Sequence, residues 1–326
     1  MRAAVVREAG KAPEIAQWRD PDLTAAGAQQ PSPSGRTLVR LTAASINPVD
    51  LHISSGTHPA GAPPVPHVPG VEGVGVVEAS DTIPVGTRVR LSVPGGFVDG
   101  TFAEYVAAPD EACIPLPDGL DDALAAAVGV VGVSALIGLR DEAALRPGES
   151  VLVLGATGGL GRALIRVARA LGATRVVAAG RSAARLESVP GADATIVLGE
   201  DPAAFQARLA QAGGPVDVVA DLLWGPFAAP ALGALTPGGR FLNLGQSAGG
   251  AAQIEAALLR HGRLRVIGFS AASLPAERGS AAYREVADLA ARGALDLPID
   301  SYPLDDVADA WAAQAASPGS KIVLIP

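Results

Sequence analysis

A glycine-rich turn between a buried strand and a helix has the clearest chemistry in this chain. A continuous run of apolar β-formers predicts a buried strand over 151–154, and helical periodicity follows over 163–172. Glycines leave no Cβ where backbone must approach an anion, and a helix N-terminus offers it free N–H groups. The turn is therefore predicted to hold a pyrophosphate, through these residues: Gly155, Ala156, Thr157, Gly158, Gly159, Leu160 and Gly161.

The segment after this helix indicates which dinucleotide would bind. A second buried strand over 175–179 completes a βαβ unit of the length that dinucleotide-binding turns require, although a purely structural glycine turn is the alternative. Where the NAD pattern has an acidic residue for the ribose 2′-hydroxyl, this chain has Arg181, followed by Ser182 and Arg185. Cations and a hydroxyl suit a 2′-phosphate, so the sequence predicts NADPH over NADH. The alternative is that Arg181 is an ordinary solvated arginine.

Composition excludes several classes of function. The chain has 326 residues, enough for two domains, and 49% of them are hydrophobic. Its net charge of −8 gives no basic field for nucleic acid. The single cysteine, Cys113, allows neither a disulfide framework nor a cysteine-based zinc site. The longest uncharged stretch, 123–139, is too short for a membrane span and predicts a buried helix, and the charged N-terminus is unlike a signal peptide. We expect a cytoplasmic protein without a membrane partner.

The order of predicted elements divides the chain. The first third is β-rich, with strands expected over 36–45, 71–79, 86–92 and 101–106 and a loop over 25–35. From Asp121, helices alternate with buried strands at 151–154, 175–179, 194–197, 216–220, 240–245 and 264–269, which is typical of a parallel sheet. Two helices, over 281–292 and 307–316, and a strand over 321–325 end the chain. The fold class is therefore α/β.

Four motifs in order carry a family resemblance over nearly the whole chain. They are ASINPVD at 44–50, VPGVEGVGVV at 68–77, GTFAEYV at 100–106 and the GATGGLG turn. Together they resemble the medium-chain dehydrogenase/reductase superfamily, in its zinc-independent quinone oxidoreductase branch. The resemblance implies a GroES-like β-rich catalytic domain over 1–121 and 279–326. It also implies a Rossmann domain that binds NADP(H), a doubly wound parallel sheet, over 122–278.

Departures from the zinc alcohol dehydrogenases of that superfamily point away from metal chemistry. Asn47 and Val71 stand where those enzymes have a Cys and a His as zinc ligands, and no four-cysteine lobe can form. We therefore expect no metal site. Without a Lewis acid, nothing lowers the pKa of an alkoxide, whereas a conjugated acceptor can take a hydride and spread the charge onto oxygen. The resemblance thus implies reduction of quinones or α,β-unsaturated carbonyls with NADPH.

The resemblance also assigns candidate site residues, each with an ordinary structural alternative. Asn47 and Asp50 would position the nicotinamide ribose and line the substrate side, or simply form a turn. His52 and His58 stand where some relatives have tyrosines, and either can donate a proton or lie inert at a surface. Lys321 would reach the cofactor or be solvated. The remaining candidates are strand-end turns and one helix position, expected to contact the cofactor: Ser134, Gly245, Gln246, Ser247, Phe269 and Ser270.

Three functions stay open on the sequence. The first is an NADPH-dependent quinone or enone reductase with a small-molecule substrate. The second is a biosynthetic enoyl reductase acting on a carrier-bound thioester, and the third is a catalytically weak NADPH-binding sensor or scaffold. The strand over 264–269 should lie at the edge of the Rossmann sheet, where it would pair with a second copy to give a homodimer.

Overall fold

The computed structural model describes residues 1–23, 35–58, 61–93, 98–199, 201 and 204–326. Apart from Gly35, the loop expected over 25–35 lies outside these residues. The chain divides into two compact units. The first comprises Met1–Val130, Leu274–Gly293 and Leu297–Pro326, and the second comprises Val131–Ser273 and Ala294–Asp296. Among the described residues, no helix is both long and apolar enough to cross a bilayer.

The first unit is built on β-sheets. A two-stranded antiparallel sheet joins β1 (Arg2–Val5) and β2 (Glu14–Gln17). The larger, seven-stranded sheet has the order β14-β15-β3-β4-β5-β7, with β6 also paired to β3. Its strands are β3 (Arg36–Ile46), β4 (Glu72–Ala79), β5 (Arg88–Ser92), β6 (Tyr105–Pro109), β7 (Cys113–Pro115), β14 (Ile299–Pro303) and β15 (Lys321–Ile325).

The end of the chain completes this unit. β15 pairs antiparallel with β3, so that Ile322 lies opposite Ile46 beside the start of α1. This register brings the C-terminal strand to the Asn47 loop. The helices of the unit are α1 (Pro48–Ser55), α2 (Asp122–Ala127), α9 (Ala276–Ala291) and α10 (Val307–Ala315).

The second unit is a six-stranded parallel sheet with the order β10-β9-β8-β11-β12-β13. This is the order of a Rossmann fold, as expected. The strands are β8 (Ser150–Leu154), β9 (Arg175–Gly180), β10 (Ala194–Val197), β11 (Val216–Asp221), β12 (Leu235–Asn243) and β13 (Arg265–Gly268). The helices are α4 (Gly159–Ala170), α5 (Ala183–Glu187), α6 (Phe205–Gln211), α7 (Ala228–Leu232) and α8 (Ala256–Gly262), while α3 (Gly129–Ile137) spans the boundary between units.

Most predicted strands are confirmed, and two predictions are wrong in their bounds. The strand expected over 101–106 begins only at Tyr105, because Thr101 and Phe102 are used in a turn, where their N–H groups donate to Gly70 O and Pro69 O. β12 begins at Leu235, five residues earlier than expected, because a bulge lets Val216 pair with it. β13 lies at the edge of its sheet as predicted.

Candidate functional site

The glycine turn lies at the carboxyl end of β8, near the middle of the parallel sheet. All five residues of β8 are buried, so the strand holds the turn in place. Gly155 has a φ of +79°, a conformation that favours glycine. The N–H groups of Gly155 and Ala156 both donate to Ala179 O at 3.0 Å. α4 then starts at Gly159, and its first N–H groups have no acceptor within the helix.

Two glycines of this turn are needed for different reasons. A Cβ at Gly161 would lie 2.3 Å from Gly155 O and 2.7 Å from Ala156 Cα, so the packing of α4 against the turn requires glycine there. A Cβ at Gly158 would meet no protein atom closer than Gly155 O, at 3.8 Å. Packing within the protein therefore leaves space beside Gly158. This open cradle, in front of free N–H groups, fits a pyrophosphate.

The predicted 2′-phosphate residues follow β9. Arg181 and Arg185 are both exposed. Ser182 is the N-cap of α5, and its Oγ accepts from the Arg185 N–H at 3.3 Å. A hydroxyl that caps a helix in this way can still donate its own proton to a ligand. The turn after β9 adjoins the glycine turn, since a Cβ at Gly180 would lie 3.2 Å from Thr157 Cγ2.

A third arginine, which the sequence analysis did not select, joins these two turns. Arg162 lies in α4 and is only 9% exposed. Its guanidinium donates to Thr157 O at 3.3 Å, to Ser188 O at 2.8 Å and to Ser188 Oγ at 3.0 Å. Burial lowers the pKa of Arg162, and the neighbouring charge of Arg185 lowers it further. The sequence offered one signal for the importance of Arg162: it is an arginine directly after Gly161, in an otherwise apolar helix start.

Most of the other predicted cofactor contacts follow strand ends at the same edge of the sheet. Ser247, in the turn after β12, donates from Oγ to Leu222 O at 3.0 Å, which ties this turn to the one after β11. A Cβ at Gly245 would lie 2.9 Å from the same carbonyl. Gln246 and Ser270 are exposed, whereas Phe269 is half-buried. Ser134 is buried within α3.

A buried carboxylate shapes the turn between these segments, and the sequence analysis missed it. Asp221 ends β11 and accepts from the Leu223 and Trp224 N–H groups at 2.9 and 3.0 Å, and from Asn243 Nδ2 at 3.1 Å. Burial raises the pKa of this carboxyl. These bonds hold Trp224 at a φ of +55°, a strained conformation for a large side chain.

In the first unit, Asn47 is the centre of a buried polar cluster. Its Nδ2 donates to Ser45 O at 3.1 Å and to Glu72 Oε1 at 2.9 Å, while its Oδ1 accepts from Lys321 Nζ at 2.6 Å. An amide has two donor protons and two oxygen lone pairs. Asn47 therefore has no amide proton left for a ligand.

Glu72 connects this cluster to the start of α3. It is fully buried, and its Oε2 accepts from Arg90 Nη2 at 3.1 Å and from the Val130 N–H at 2.8 Å. The positive end of a helix favours such a carboxylate. A Cβ at Gly129 would lie 1.9 Å from Oε2, so glycine is required there. Arg90 also stacks over the Tyr283 ring at 4.7 Å.

Asp50 is buried beside Asn47 and forms hydrogen bonds through both oxygens. They accept from the Asn47 N–H at 2.7 Å and from the Val71 N–H at 2.9 Å. The first bond belongs to a capping box at the start of α1. Burial raises the pKa of Asp50 to about 7, with a smaller rise from Glu72 and an opposing effect of the Lys321 charge.

The suggested alternative of a solvated Lys321 is wrong. This lysine starts β15 and is 4% exposed, because the pairing of β15 with β3 turns its side chain toward Asn47. Burial lowers the pKa of Lys321, while the carboxylates of Glu72 and Asp50 oppose that shift. The cluster thus joins residues that are 274 positions apart in the chain.

The two predicted histidines lie outside this cluster. His52 is exposed on α1, and His58 is half-buried in the segment that follows. They are linked through the backbone, where the His58 N–H donates to His52 O at 3.1 Å. Both therefore lie shortly after the Asn47 loop in the chain.

The residues around Asn47 do not fit a zinc ion. Among the residues that the structure describes, no group of three or more His, Cys, Asp and Glu side chains is arranged to hold a metal. Asn47 has its amide protons committed to Ser45 and Glu72, and protein zinc is held by thiolate, imidazole and carboxylate ligands.

Comparison with known proteins places this geometry in a family. The family profile "Alcohol dehydrogenase GroES-like domain" matches residues 33–118, and "Zinc-binding dehydrogenase" matches residues 159–292. A solved quinone oxidoreductase from Thermus thermophilus, also determined in complex with NADPH, is 30% identical with a TM-score of 0.80, and the match covers both chains completely. The chain therefore belongs to the medium-chain dehydrogenase/reductase superfamily. Within that superfamily it is a member of the quinone oxidoreductase-like branch.

Curated relatives extend the comparison to two kinds of protein. The quinone oxidoreductase of Homo sapiens is 37% identical over 177 residues, covering 53% of this chain and 50% of that protein. The phenolphthiocerol synthesis polyketide synthase Pks15/1 of Mycobacterium marinum is 36% identical over 222 residues, covering 67% of this chain and 10% of the synthase. The chain thus spans half or less of the length of these curated relatives.

Proposed function

We propose that this chain is an NADPH-dependent oxidoreductase that reduces quinones or α,β-unsaturated carbonyl compounds by hydride transfer, without zinc. The observation that carries the proposal is the open cradle at Gly158, which lies before the free N–H groups of α4. In this proposal, residues 122–278 bind the cofactor, and residues 1–121 and 279–326 provide the catalytic domain.

The choice of NADPH rests on charge at the end of β9. Arg181 stands where an NAD site has an acid, and it is exposed and therefore accessible to a ligand. Ser182 and Arg185 add a hydroxyl and a second cation within four residues. A 2′-phosphate accepts charge-assisted hydrogen bonds from such groups, whereas a free 2′-hydroxyl does not need them. The T. thermophilus relative solved with NADPH supports the same choice.

The proposed reaction needs a hydride donor, a conjugated acceptor and a proton. Bound NADPH supplies the hydride, which adds to the β-carbon of an enone or to a quinone. The negative charge that develops on the substrate oxygen is neutralised by a proton from a side chain or water. His52 and His58 are the candidate donors because an imidazole N–H can donate a proton to a substrate oxygen. Asn47 would help to position the nicotinamide ribose, and its hydrogen bonds with Asp50 and Lys321 hold it in place.

A biosynthetic enoyl reductase is the second candidate. It is favoured by the polyketide synthase match, which covers more of this chain than the human quinone oxidoreductase match does. Both activities share the hydride transfer to a conjugated acceptor, and they differ in whether the carbonyl belongs to a thioester.

Steady-state NADPH consumption tests both candidates. The panel contains a benzoquinone, an enal, an enone and crotonyl thioesters of pantetheine and coenzyme A. Turnover of the first three supports the quinone or enone reductase, while selective turnover of the thioesters supports the enoyl reductase. NADPH binding without turnover of any of them contradicts an oxidoreductase function and favours a sensor.

A matched pair of variants connects any turnover to the cradle. Gly158→Ala should leave the fold intact, because Gly158 has a φ of −84° and no protein atom near its missing Cβ. It should abolish NADPH binding, since the added methyl group fills the cradle. Gly279→Ala in α9 is the control, because a Cβ there would meet nothing within 4 Å and Gly279 lies outside the turn. Unchanged NADPH affinity in Gly158→Ala would contradict the assignment of the turn.

A further inference from the structure

A buried arginine lies behind the proposed 2′-phosphate residues and has only neutral partners. Arg162 is 9% exposed, and its hydrogen-bond acceptors are the carbonyls of Thr157 and Ser188 and the Ser188 hydroxyl. Among the described residues, no carboxylate forms an ion pair with it. Burial of a charge is unfavourable unless an opposite charge compensates it. The positive charge of Arg162 is therefore only partly balanced within the protein.

The surroundings of Arg162 are positive as well. Arg185 lies near enough for the two charges to repel each other, and together with burial this repulsion lowers the pKa of Arg162. Arg181 directly precedes Ser182, the N-cap of α5, and so belongs to the same region. Arg181 and Arg185 thus lie in and just after the turn between β9 and α5, and the charge of Arg162 lies near that of Arg185. Neighbouring positive charges favour an incoming anion.

The hydrogen bonds of Arg162 also determine its position relative to that stretch. Thr157 belongs to the glycine turn, and Ser188 is the C-cap of α5. The guanidinium therefore bridges the two segments that flank Arg181 and Ser182. Three acceptors hold its N–H groups, so the guanidinium is fixed in one position and does not sample several rotamers as a solvated arginine does.

We propose that Arg162 is a specificity-determining residue, whose fixed buried charge favours a nucleotide that carries a 2′-phosphate over one with a free 2′-hydroxyl. This inference rests on the proposed NADPH preference and extends it from the exposed residues to a buried one. The 2′-phosphate would add about two negative charges at neutral pH to a region where the charge of Arg162 has only neutral hydrogen-bond acceptors. Both dinucleotides share the pyrophosphate and the adenine. The charge of Arg162 would therefore not change their relative affinity through those groups.

Binding of two small nucleotides by calorimetry tests the proposal without any turnover. Adenosine 2′,5′-bisphosphate and adenosine 5′-monophosphate differ only in the 2′-phosphate. Arg162→Gln should weaken binding of the bisphosphate about tenfold, equal to about 1.4 kcal/mol, and leave binding of the monophosphate within about twofold. Added salt should reduce the difference between wild type and variant, because it screens the charge.

Arg169→Gln is the matched control. Arg169 lies on the same helix and donates to two carbonyls, Gly191 O and Ala173 O, but it also forms an ion pair with Asp193. Its substitution removes the same formal charge where a carboxylate already balances it. We expect the ratio of the two affinities to stay at the wild-type value.

The outcomes separate the proposal from the function on which it rests. If the wild-type protein binds both nucleotides equally well, the NADPH preference itself is wrong. If the wild type prefers the bisphosphate but Arg162→Gln weakens both nucleotides equally, Arg162 is only a structural bridge and the proposal is wrong. Should Arg162→Gln not fold, Arg162→Lys decides, since it keeps the charge and loses the fork. If Arg162→Lys keeps the preference for the bisphosphate, the charge of Arg162 is responsible for it. If Arg162→Lys weakens binding of both nucleotides equally, the proposal is wrong.

Discussion

Substitution of Lys321 by methionine tests the buried cluster of the first unit. Methionine nearly keeps the length of the side chain and removes the ammonium group. Asn47 Oδ1 then loses its donor at 2.6 Å, in a site where no water can easily replace it. Asp50 and Glu72 also lose a neighbouring positive charge, because Lys321 interacts with both carboxylates. Arg90 still balances Glu72, so Asp50 should be the more affected of the two.

The expected loss of stability follows from these contacts. A hydrogen bond to a charged group contributes about 1.5–3 kcal/mol, and removal of one partner of a buried charged group costs about 3–5 kcal/mol. Burial of the Lys321 ammonium is itself unfavourable and lowers its pKa, and the variant recovers that part. We therefore expect a decrease of about 3 kcal/mol in the free energy of unfolding. For a domain of this size, that corresponds to a fall in Tm of about 6–12 °C.

The assay is thermal and urea unfolding, followed by circular dichroism and tryptophan fluorescence. Trp311 is buried in the core of the first unit, so its emission reports on the part of the chain that contains the cluster. Lys11→Met is the control, because Lys11 is the other lysine of the chain and is exposed. Its substitution should change the free energy of unfolding by less than about 0.5 kcal/mol.

Equal stability of Lys321→Met and Lys11→Met would refute the reasoning. It would mean that the buried ammonium group of Lys321 contributes no more to the free energy of unfolding than the exposed ammonium group of Lys11. A second readout is the pKa of Asp50, which the Lys321 charge lowers in the wild type. That pKa should rise above about 7 in Lys321→Met, and an unchanged value measured by NMR would contradict the contact.

Four further predictions follow from the structure. Because the folded-state pKa of Asp50, about 7, lies above its ordinary value of 3.8, the ionised form destabilises the fold, so the wild type should lose stability as pH rises from about 4 to 7. Asp50→Asn should remove that dependence, and equal pH profiles of Tm would contradict it. Arg181→Asp should abolish or invert the preference for NADPH over NADH, at a cost of about 1–3 kcal/mol measured by calorimetry. Dialysis against a strong chelator should leave turnover unchanged, whereas one zinc per chain in elemental analysis would contradict a zinc-independent reaction. Light scattering should give the mass of two chains and Val266→Pro should disrupt the dimer, since Val266 is 43% exposed on the edge strand β13; a monomeric wild type at micromolar concentration would refute this.

Local sequence patterns predicted much of the fold. The strand, glycine turn and helix at 150–170 could be recognised because their signals lie within a few residues: a buried apolar run, then glycines, then helical periodicity. The edge position of β13 could be predicted from strand count and the known order of doubly wound sheets. The strand predicted over 101–106 began four residues too early, because the Thr101 and Phe102 N–H groups donate to Gly70 and Pro69 instead of pairing in a sheet.

The hydrogen bonds among the polar residues could not be predicted from the sequence. The family resemblance selected Asn47 and Lys321 separately, and it is the pairing of β15 with β3 that brings them together. The position of Arg162 after Gly161 gave only a weak signal in the sequence, because its partners come from the glycine turn and from the end of α5. Periodicity and turn chemistry are local, so most elements and the glycine turn could be predicted from the sequence. Burial and hydrogen bonding depend on residues far apart in the chain, so the charges and pKa values of the site were decided by packing.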